Sequence, residues 1–177
     1  VNCFSLHKSL ISKKSKVELY YKTDSHWNSY GAFIGYREIM KKINNEKQVK
    51  VETINNYTIT KNKNFNGGLS RMLFSNKLED SLVFKRKKEF AIKTIKNNFT
   101  FKHFKNPNGI GKLLIYRDSF TDNLLPFLNN TFKEVISIKG HNLDKDLIDS
   151  FKPDVVILEK IERNLENLTK MKSPLNF

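Results

Sequence analysis

The 177-residue chain has one cysteine, Cys3, which excludes an internal disulfide framework and any zinc site built from several thiolates. No apolar run approaches the roughly 20 residues needed to span a bilayer as a helix. No signal peptide is visible, and the first residue is Val1 rather than Met. The sequence is therefore read as a single domain spanning 1–177, excised from a longer protein. Internal repeats and low-complexity linkers are missing too. Acidic residues are scarce, with 18 Asp and Glu against 32 Lys and Arg, a formal charge of +14.

Such an excess attracts polyanions: nucleic acid, anionic lipid or acidic cell-envelope polymer. The lysines are nevertheless spread along the chain with asparagines, which favours a solvated surface over one binding stripe. The clusters Lys13-Lys14-Ser15-Lys16 and Lys85-Arg86-Lys87-Lys88 have no interleaved stacking aromatics, and no nucleic-acid motif accompanies them, so no nucleic-acid partner is expected. Apolar residues make up 38% and aromatics 12%, enough for a packed α/β or α+β core.

Residues 17–21 alternate as a strand leading into the polar loop Lys22–Asn28. Asn28 or Ser29 can cap a helix over 30–43 whose apolar face is Ala32, Phe33, Tyr36, Ile39, Met40 and Ile43. Val49–Ile54, the turn signal Asn55-Asn56 and Tyr57–Thr60 predict a β-hairpin. Gly67-Gly68 precedes a short helical stretch, 69–74. Ser81–Phe84 and Phe99–Phe104 are predicted strands, with the basic stretch between them open to strand or loop. Beyond the turn Asn106–Gly109 the pattern alternates. Strands Lys112–Tyr116, Glu134–Ile138 and Pro153–Glu159 are separated by helices over 121–128 and 143–151, and a last helix covers 162–168. Apolar strands alternating with helices predict a mostly parallel sheet covered on both faces.

Reactive groups of open α/β sheets collect beyond the C-terminal strand ends. Ser119 stands there, followed by a helix start whose N–H groups can stabilise an oxyanion. Taken alone, a serine at this place reads first as a helix N-cap. Of the four histidines, His26 has a carboxylate at short fixed spacing in a loop, Asp24-Ser25-His26. In extended backbone, i and i+2 side chains share a side, so Asp24 can hold Nδ1 while Nε2 accepts a serine proton. A turn with an Asx hydrogen bond and a packed Trp27 accounts for the same segment. His141 is a reserve base, whereas His103 alternates with phenylalanines and His7 lies in an indeterminate N-terminal stretch. No other His/Asp/Glu set has ligand spacing, and neither metal nor cofactor is expected.

Together, Tyr21–Ala32, carrying Asp24-Ser25-His26-Trp27-Asn28 and Gly31-Ala32, and Leu114–Phe120, carrying Asp118-Ser119-Phe120, resemble the signature blocks of the SGNH-hydrolase-like O-acetyltransferases. These are the alginate acetyltransferase AlgX/AlgJ type and its Gram-positive cell-wall relatives. Phe65–Leu69 is similar to the family's Gly-containing loop, and Lys152–Arg163 to its last strand and Glu-Arg turn. The resemblance spans about residues 20–165 and implies a flavodoxin-like three-layer α/β/α fold with a mostly parallel central sheet and a β-hairpin insertion. The upstream first strand of a complete sheet of this kind is not evident in residues 1–16, which implies an incomplete sheet or one completed by a partner chain.

The resemblance also implies roles. Ser119 is the nucleophile, His26 the base and Asp24 the orienting acid. The Ser119 N–H, with Gly68 or Asn66, forms the oxyanion hole. Arg117 stands where Gly is frequent and offers a positive charge near the acyl oxygen. Trp27 lines the acyl or sugar site or packs in the core. The implied activity is O-acetyl transfer to hydroxyls of an extracellular or cell-wall polysaccharide, with a membrane-bound O-acyltransferase supplying acetyl groups, outside the cytoplasm. An acetyl esterase on glycans and a catalytically silent glycan-binding module are the alternatives. Oligomeric state is not encoded legibly.

Overall fold

A computed structural model describes residues 2–45 and 48–170, with side chains to 166. The chain divides into two compact units, Val1–Glu89 and Phe90–Phe177. Among the described residues, no helix is long and apolar enough to cross a membrane.

The first unit contains α1 (His7–Lys14), α2 (Ser29–Asn44), β1 (Tyr57–Phe65), α3 (Gly68–Met72) and β2 (Glu79–Arg86). Its centre is α2, which starts and ends within a residue of the predicted 30–43. Asn28 is the cap: its Oδ1 accepts from the N–H groups of Tyr30 and Gly31 at 2.9 and 3.0 Å, satisfying donors that the helix start leaves unpaired. The buried face carries Ala32, Phe33, Tyr36, Ile39 and Met40. Phe33 meets Tyr57 and Phe84 at ring-centroid distances of 6.0 and 5.6 Å, which fastens the β1–β2 ribbon to the helix. Each such aromatic pair adds about 1 kcal/mol beyond area burial.

The predicted hairpin is not formed. β1 pairs antiparallel with β2 instead, and Ile54–Asn56 is a 3-10 turn. The cause is that 49–54 is held by side chains. Tyr36 Oη accepts from Glu52 N–H at 2.8 Å, and the Thr53 N–H donates to Asn56 Oδ1 at 2.7 Å. Buried Glu52 also grips Arg86 at 3.0 and 3.1 Å, binding this segment to the end of β2. The predicted 17–21 strand contracts to a single antiparallel bridge, Tyr20 to Trp27.

The second unit is a five-stranded sheet with α4 (Leu125–Thr131) and α5 (Lys145–Phe151). Its strands are β3 (Lys93–Asn97), β4 (Phe101–Lys105), β5 (Lys112–Arg117), β6 (Glu134–Lys139) and β7 (Val155–Leu158), in the order β3-β4-β6-β5-β7. The β6–β5 and β5–β7 pairings are parallel, whereas β3–β4 and β4–β6 are antiparallel. The sheet is therefore mixed, which corrects the expectation of a mostly parallel one. The antiparallel half comes from 93–105, where Asn98 Oδ1 accepts from Thr100 and Phe101 N–H at 3.1 and 2.7 Å. That turn folds β4 straight back on β3, leaving no room for a crossover helix. Leu113, Leu114, Ile115 and Tyr116 of β5 are all essentially inaccessible. Leu114, Tyr116 and Ile136 pack with Leu147, Ile148 and Phe151 of α5, and the alternate residues Leu113 and Ile115 face the other side.

Candidate active-site elements

In the first unit, a polar loop is closed at its base by backbone bonds from Tyr21 N–H to His26 O (3.2 Å) and from Asn28 N–H to Leu19 O (2.9 Å). At the loop tip, His26 Nδ1 lies 2.5 Å from Asp24 Oδ1, so Nδ1 carries the proton facing the carboxylate. The same oxygen accepts the His26 N–H at 3.0 Å. Asp24 Oδ2 accepts the Gly68 N–H at 2.7 Å. Burial opposes ionisation of Asp24, but the bonds from Gly68 and His26 outweigh it and hold the carboxyl below its ordinary pKa. A carboxylate fixed this way selects the tautomer with Nε2 available for proton exchange, and it stabilises an imidazolium.

The surrounding residues explain the loop's sequence. Gly31 allows α2 to pass against the loop's base, because a Cβ there would lie 2.3 Å from Leu19 O. Gly67 is tighter still: its Cβ would meet Thr23 O at 2.2 Å. Thr23 Oγ1 accepts the Gly67 N–H at 3.0 Å, and Thr23 O accepts Ser70 N–H at 3.1 Å. Glu79 takes the Lys22 and Thr23 N–H groups at 2.9 and 2.7 Å. Burial resists charge on Glu79 too, and these donors overcome it, so its pKa is lowered. Tyr21 stacks on Phe65 with centroids 4.1 Å apart. Thr23, Gly67 and Glu79 were not singled out from sequence. The adjacent glycines in Asn66-Gly67-Gly68 were the available signal.

In the second unit, β5 ends at Arg117 and a 3-10 turn runs from Ser119 to Asn123. Asp118 caps that turn, its Oδ1 accepting Phe120 N–H at 2.9 Å. Asp118, not Ser119, thus does the capping that a serine at a strand end would otherwise explain. Ser119 is partly exposed between two buried neighbours, Asp118 and Phe120. Asp118 Oδ2 accepts Ile161 N–H at 2.8 Å. Glu159 Oε2 accepts Asp118 N–H at 3.1 Å and the Thr121 hydroxyl at 2.9 Å. Burial and the neighbouring Asp118 push Glu159 up to about 8. Burial also resists charge on Asp118, but hydrogen bonds from Phe120 and Ile161 keep its pKa lowered.

Three substrate-contact expectations change. Arg117 is 1% exposed, and its guanidinium binds Ser137 Oγ (2.9 Å), Asp118 O (3.1 Å) and Asp122 Oδ2 (3.3 Å). It braces the turn from inside instead of offering charge to an acyl oxygen. The Gly68 N–H is committed to Asp24, which removes it as an oxyanion donor. Trp27 is 3% exposed and its ring would lie 3.0 Å from a Cβ at Gly35, so it packs against α2. Asn66 keeps unused capacity: Nδ2 reaches Ser75 O at 3.4 Å, and Oδ1 is buried without a hydrogen-bond partner. Of the other histidines, His103 binds Glu134 Oε1 at 2.7 Å, His141 pairs with Lys160, and His7 is on exposed α1.

Solved structures share this architecture. A DHHW family protein from Eubacterium siraeum aligns with TM-score 0.69 and 16% identity over 85% of this chain and 61% of its own. PatB1 of Bacillus cereus, solved with a sulfonyl adduct, aligns with TM-score 0.70 and 20% identity over 88% of this chain and 66% of its own. The O-acetyltransferase domain of AlgJ from Pseudomonas putida gives TM-score 0.52 and 17% identity over 97% and 61%. At these identities the likeness shows the α/β fold alone. Residues 1–98, more than half of the chain, match the family model described as SGNH hydrolase-like domain, acetyltransferase AlgX, and the chain belongs to that family. No curated protein matches it in sequence. The chain spans 61% of the DHHW protein and 66% of PatB1.

Proposed function

We propose that this chain carries the catalytic residues of an O-acetyltransferase that moves an acetyl group through a Ser119 ester to a hydroxyl of a cell-wall or other extracellular polysaccharide. The observation that carries the proposal is the Asp24–His26 contact at 2.5 Å, made within residues 1–98 that match the family model. Ser119, which follows the capping Asp118 at the start of its turn, is the matching nucleophile in this reading.

In the first half-reaction His26 Nε2 takes the Ser119 proton as Oγ attacks the acetyl carbonyl of the donor. The donor's leaving oxygen recovers that proton from His26 as its bond to carbon breaks. In the second, an acceptor hydroxyl gives its proton to His26 and attacks the serine ester. The Ser119 oxygen departs and is reprotonated. Asp24 stays ionised throughout and stabilises the imidazolium. The Ser119 N–H is the proposed donor to the oxyanion. The proposed acetyl source is a membrane-bound O-acyltransferase, and the proposed site of the reaction is outside the cytoplasm.

Transfer requires that sugar, not water, resolve the ester. The test is p-nitrophenyl acetate turnover with and without wall-polymer oligosaccharides, read by mass spectrometry of acceptor and free acetate. A Ser119-dependent burst with acetylated acceptor is expected. A burst yielding acetate alone would make the protein an esterase. Glycan binding without any burst would leave a silent binding module.

A further inference from the structure

The second unit holds a carboxyl pair, buried Asp118 and partly buried Glu159, that the triad chemistry does not use. Asp118 and Glu159 meet at the backbone of the Ser119 turn, where Glu159 Oε2 accepts the Asp118 N–H at 3.1 Å. The nearness of the Asp118 carboxyl is one cause of the raised Glu159 pKa. Both Asp118 oxygens already receive backbone N–H groups, Phe120 on Oδ1 and Ile161 on Oδ2. Glu159 Oε2 likewise receives two donors, Asp118 N–H and the Thr121 hydroxyl. Two neighbouring carboxylates shielded from water repel strongly unless one is neutral. Since Oε2 is fully engaged as an acceptor, a proton on Oε1 is the arrangement that turns the contact attractive.

We propose that Glu159 is a positioning residue for Ser119, acting as a neutral acid that donates to Asp118 while its other oxygen holds the Asp118 and Thr121 ends of the turn. The inference rests on Ser119 being the nucleophile. It adds that the nucleophile's backbone is held by one shared proton.

The groups around the pair fit this. Glu159 N–H donates to Tyr116 O at 2.8 Å, fixing the residue at the end of β7 beside β5. Arg117 holds Asp118 O from the other side at 3.1 Å and is shared with Asp122. Lys160 favours charge on both carboxyls, but burial lowers its own pKa, and it is paired with His141. Burial and Lys160 lower the His141 pKa, which keeps that ring from adding a second cation at neutral pH. Arg163 lies over the Phe120 ring, 5.8 Å from its centroid. Burial with Asp118 as neighbour keeps Glu159 protonated to about pH 8.

Above that pH the turn loses its internal donor and gains a like-charge contact. Acylation of Ser119 should then slow.

The experiment measures Ser119 acylation rates from pH 6 to 10 in the parent, Glu159→Gln and Glu159→Ala, with Ser119→Ala as the control for the nucleophile. Carbonyl-13C NMR of Glu-labelled protein is recorded in parallel. Glutamine can donate to Asp118 and accept from Thr121 at every pH. Glu159→Gln should therefore react within about tenfold of the parent at pH 7 and show no fall above pH 8, where the parent declines. Glu159→Ala should be slow throughout. An alkaline decline unchanged in Glu159→Gln would assign that limb to Lys160 and overturn the proposal. So would a Glu159 carboxyl that titrates in the ordinary range. If Ser119→Ala retained the burst while the Glu159 signal titrated near pH 8, the nucleophile assignment would fail but the shared proton would stand. If Glu159→Ala does not fold, the glutamine variant and the NMR titration still decide.

Discussion

The Asp24 loop and the Asp118 turn are each organised by one aspartate that collects backbone N–H groups. Asp24 takes Gly68 and His26; Asp118 takes Phe120 and Ile161. In both, hydrogen bonds overcome burial and keep the aspartate ionised. What differs is the third partner. Asp24 meets an imidazole and acts through its charge. Asp118 meets Glu159, a second acid that must stay neutral for the contact to hold. A carboxylate that orients a base tolerates alkali and fails in acid. A carboxyl pair that orients a turn does the reverse. The interval between the two limits is where both elements are in working order.

Changes to either element sharpen that contrast. The largest effect is expected from Asp24→Asn, which keeps the shape of the loop but removes the charge and can favour the wrong imidazole tautomer. Acyl-enzyme formation should drop by roughly 10³-fold or more, with the fold intact by circular dichroism. A loss below tenfold would mean that His26 does not depend on Asp24. Next, Gly67→Ala forces a Cβ to 2.2 Å from Thr23 O, and a backbone oxygen cannot swing aside. Chemical denaturation should show about 3 kcal/mol less stability, with activity lost even where the protein remains folded.

The third prediction separates the two carboxyl environments by pH. Glu159 binds its proton more tightly folded than unfolded, so its contribution is complete below about pH 4.5 and drains away up to about pH 8. Asp24 has the opposite sign: its contribution is present above the ordinary aspartate pKa and is lost as pH falls through the lowered folded value. Stability of the parent should decline from pH 5 to 8 relative to Glu159→Gln, and the two curves should run parallel above pH 9. The smallest effect is expected from Asn28→Ala, which unpairs the start of α2 at a cost of about 1 kcal/mol, lowering the melting temperature by a few degrees with little change in acylation rate.

Sequence made some elements plain and hid others for physical reasons. α2 was legible because its cap and its 3.6-residue apolar period occur together in Asn28–Asn44. β5, β6 and β7 were legible as short apolar runs between helices. The β1–β2 pairing was not, because its partners are separated by α3 and Asn55-Asn56 supplied a false turn signal. What cancelled that signal was Glu52, held by Tyr36 and Arg86, a set of contacts no local pattern reports. The antiparallel β3–β4 hairpin was masked by lysines that suit an exposed strand and a loop equally. Asp24 and His26 stood out by residue type and short spacing, and Ser119 by its place after a strand. Only the resemblance to a family's signature blocks joined the three into one proposed site. Glu159 was missed since an acid closing the apolar run Val155–Leu158 looks like a strand end, and only its contact with Asp118 gives it a function.

The central claim is that Ser119 becomes the acetyl carrier through His26. The direct measurement is peptide mass spectrometry of the protein quenched within the p-nitrophenyl acetate burst, compared with His26→Ala treated for the same time. One acetyl group on the peptide containing Ser119 in the parent, and none there in His26→Ala, is the result the account predicts. Acetylation confined to other residues, or Ser119 labelled equally fast without His26, would contradict it.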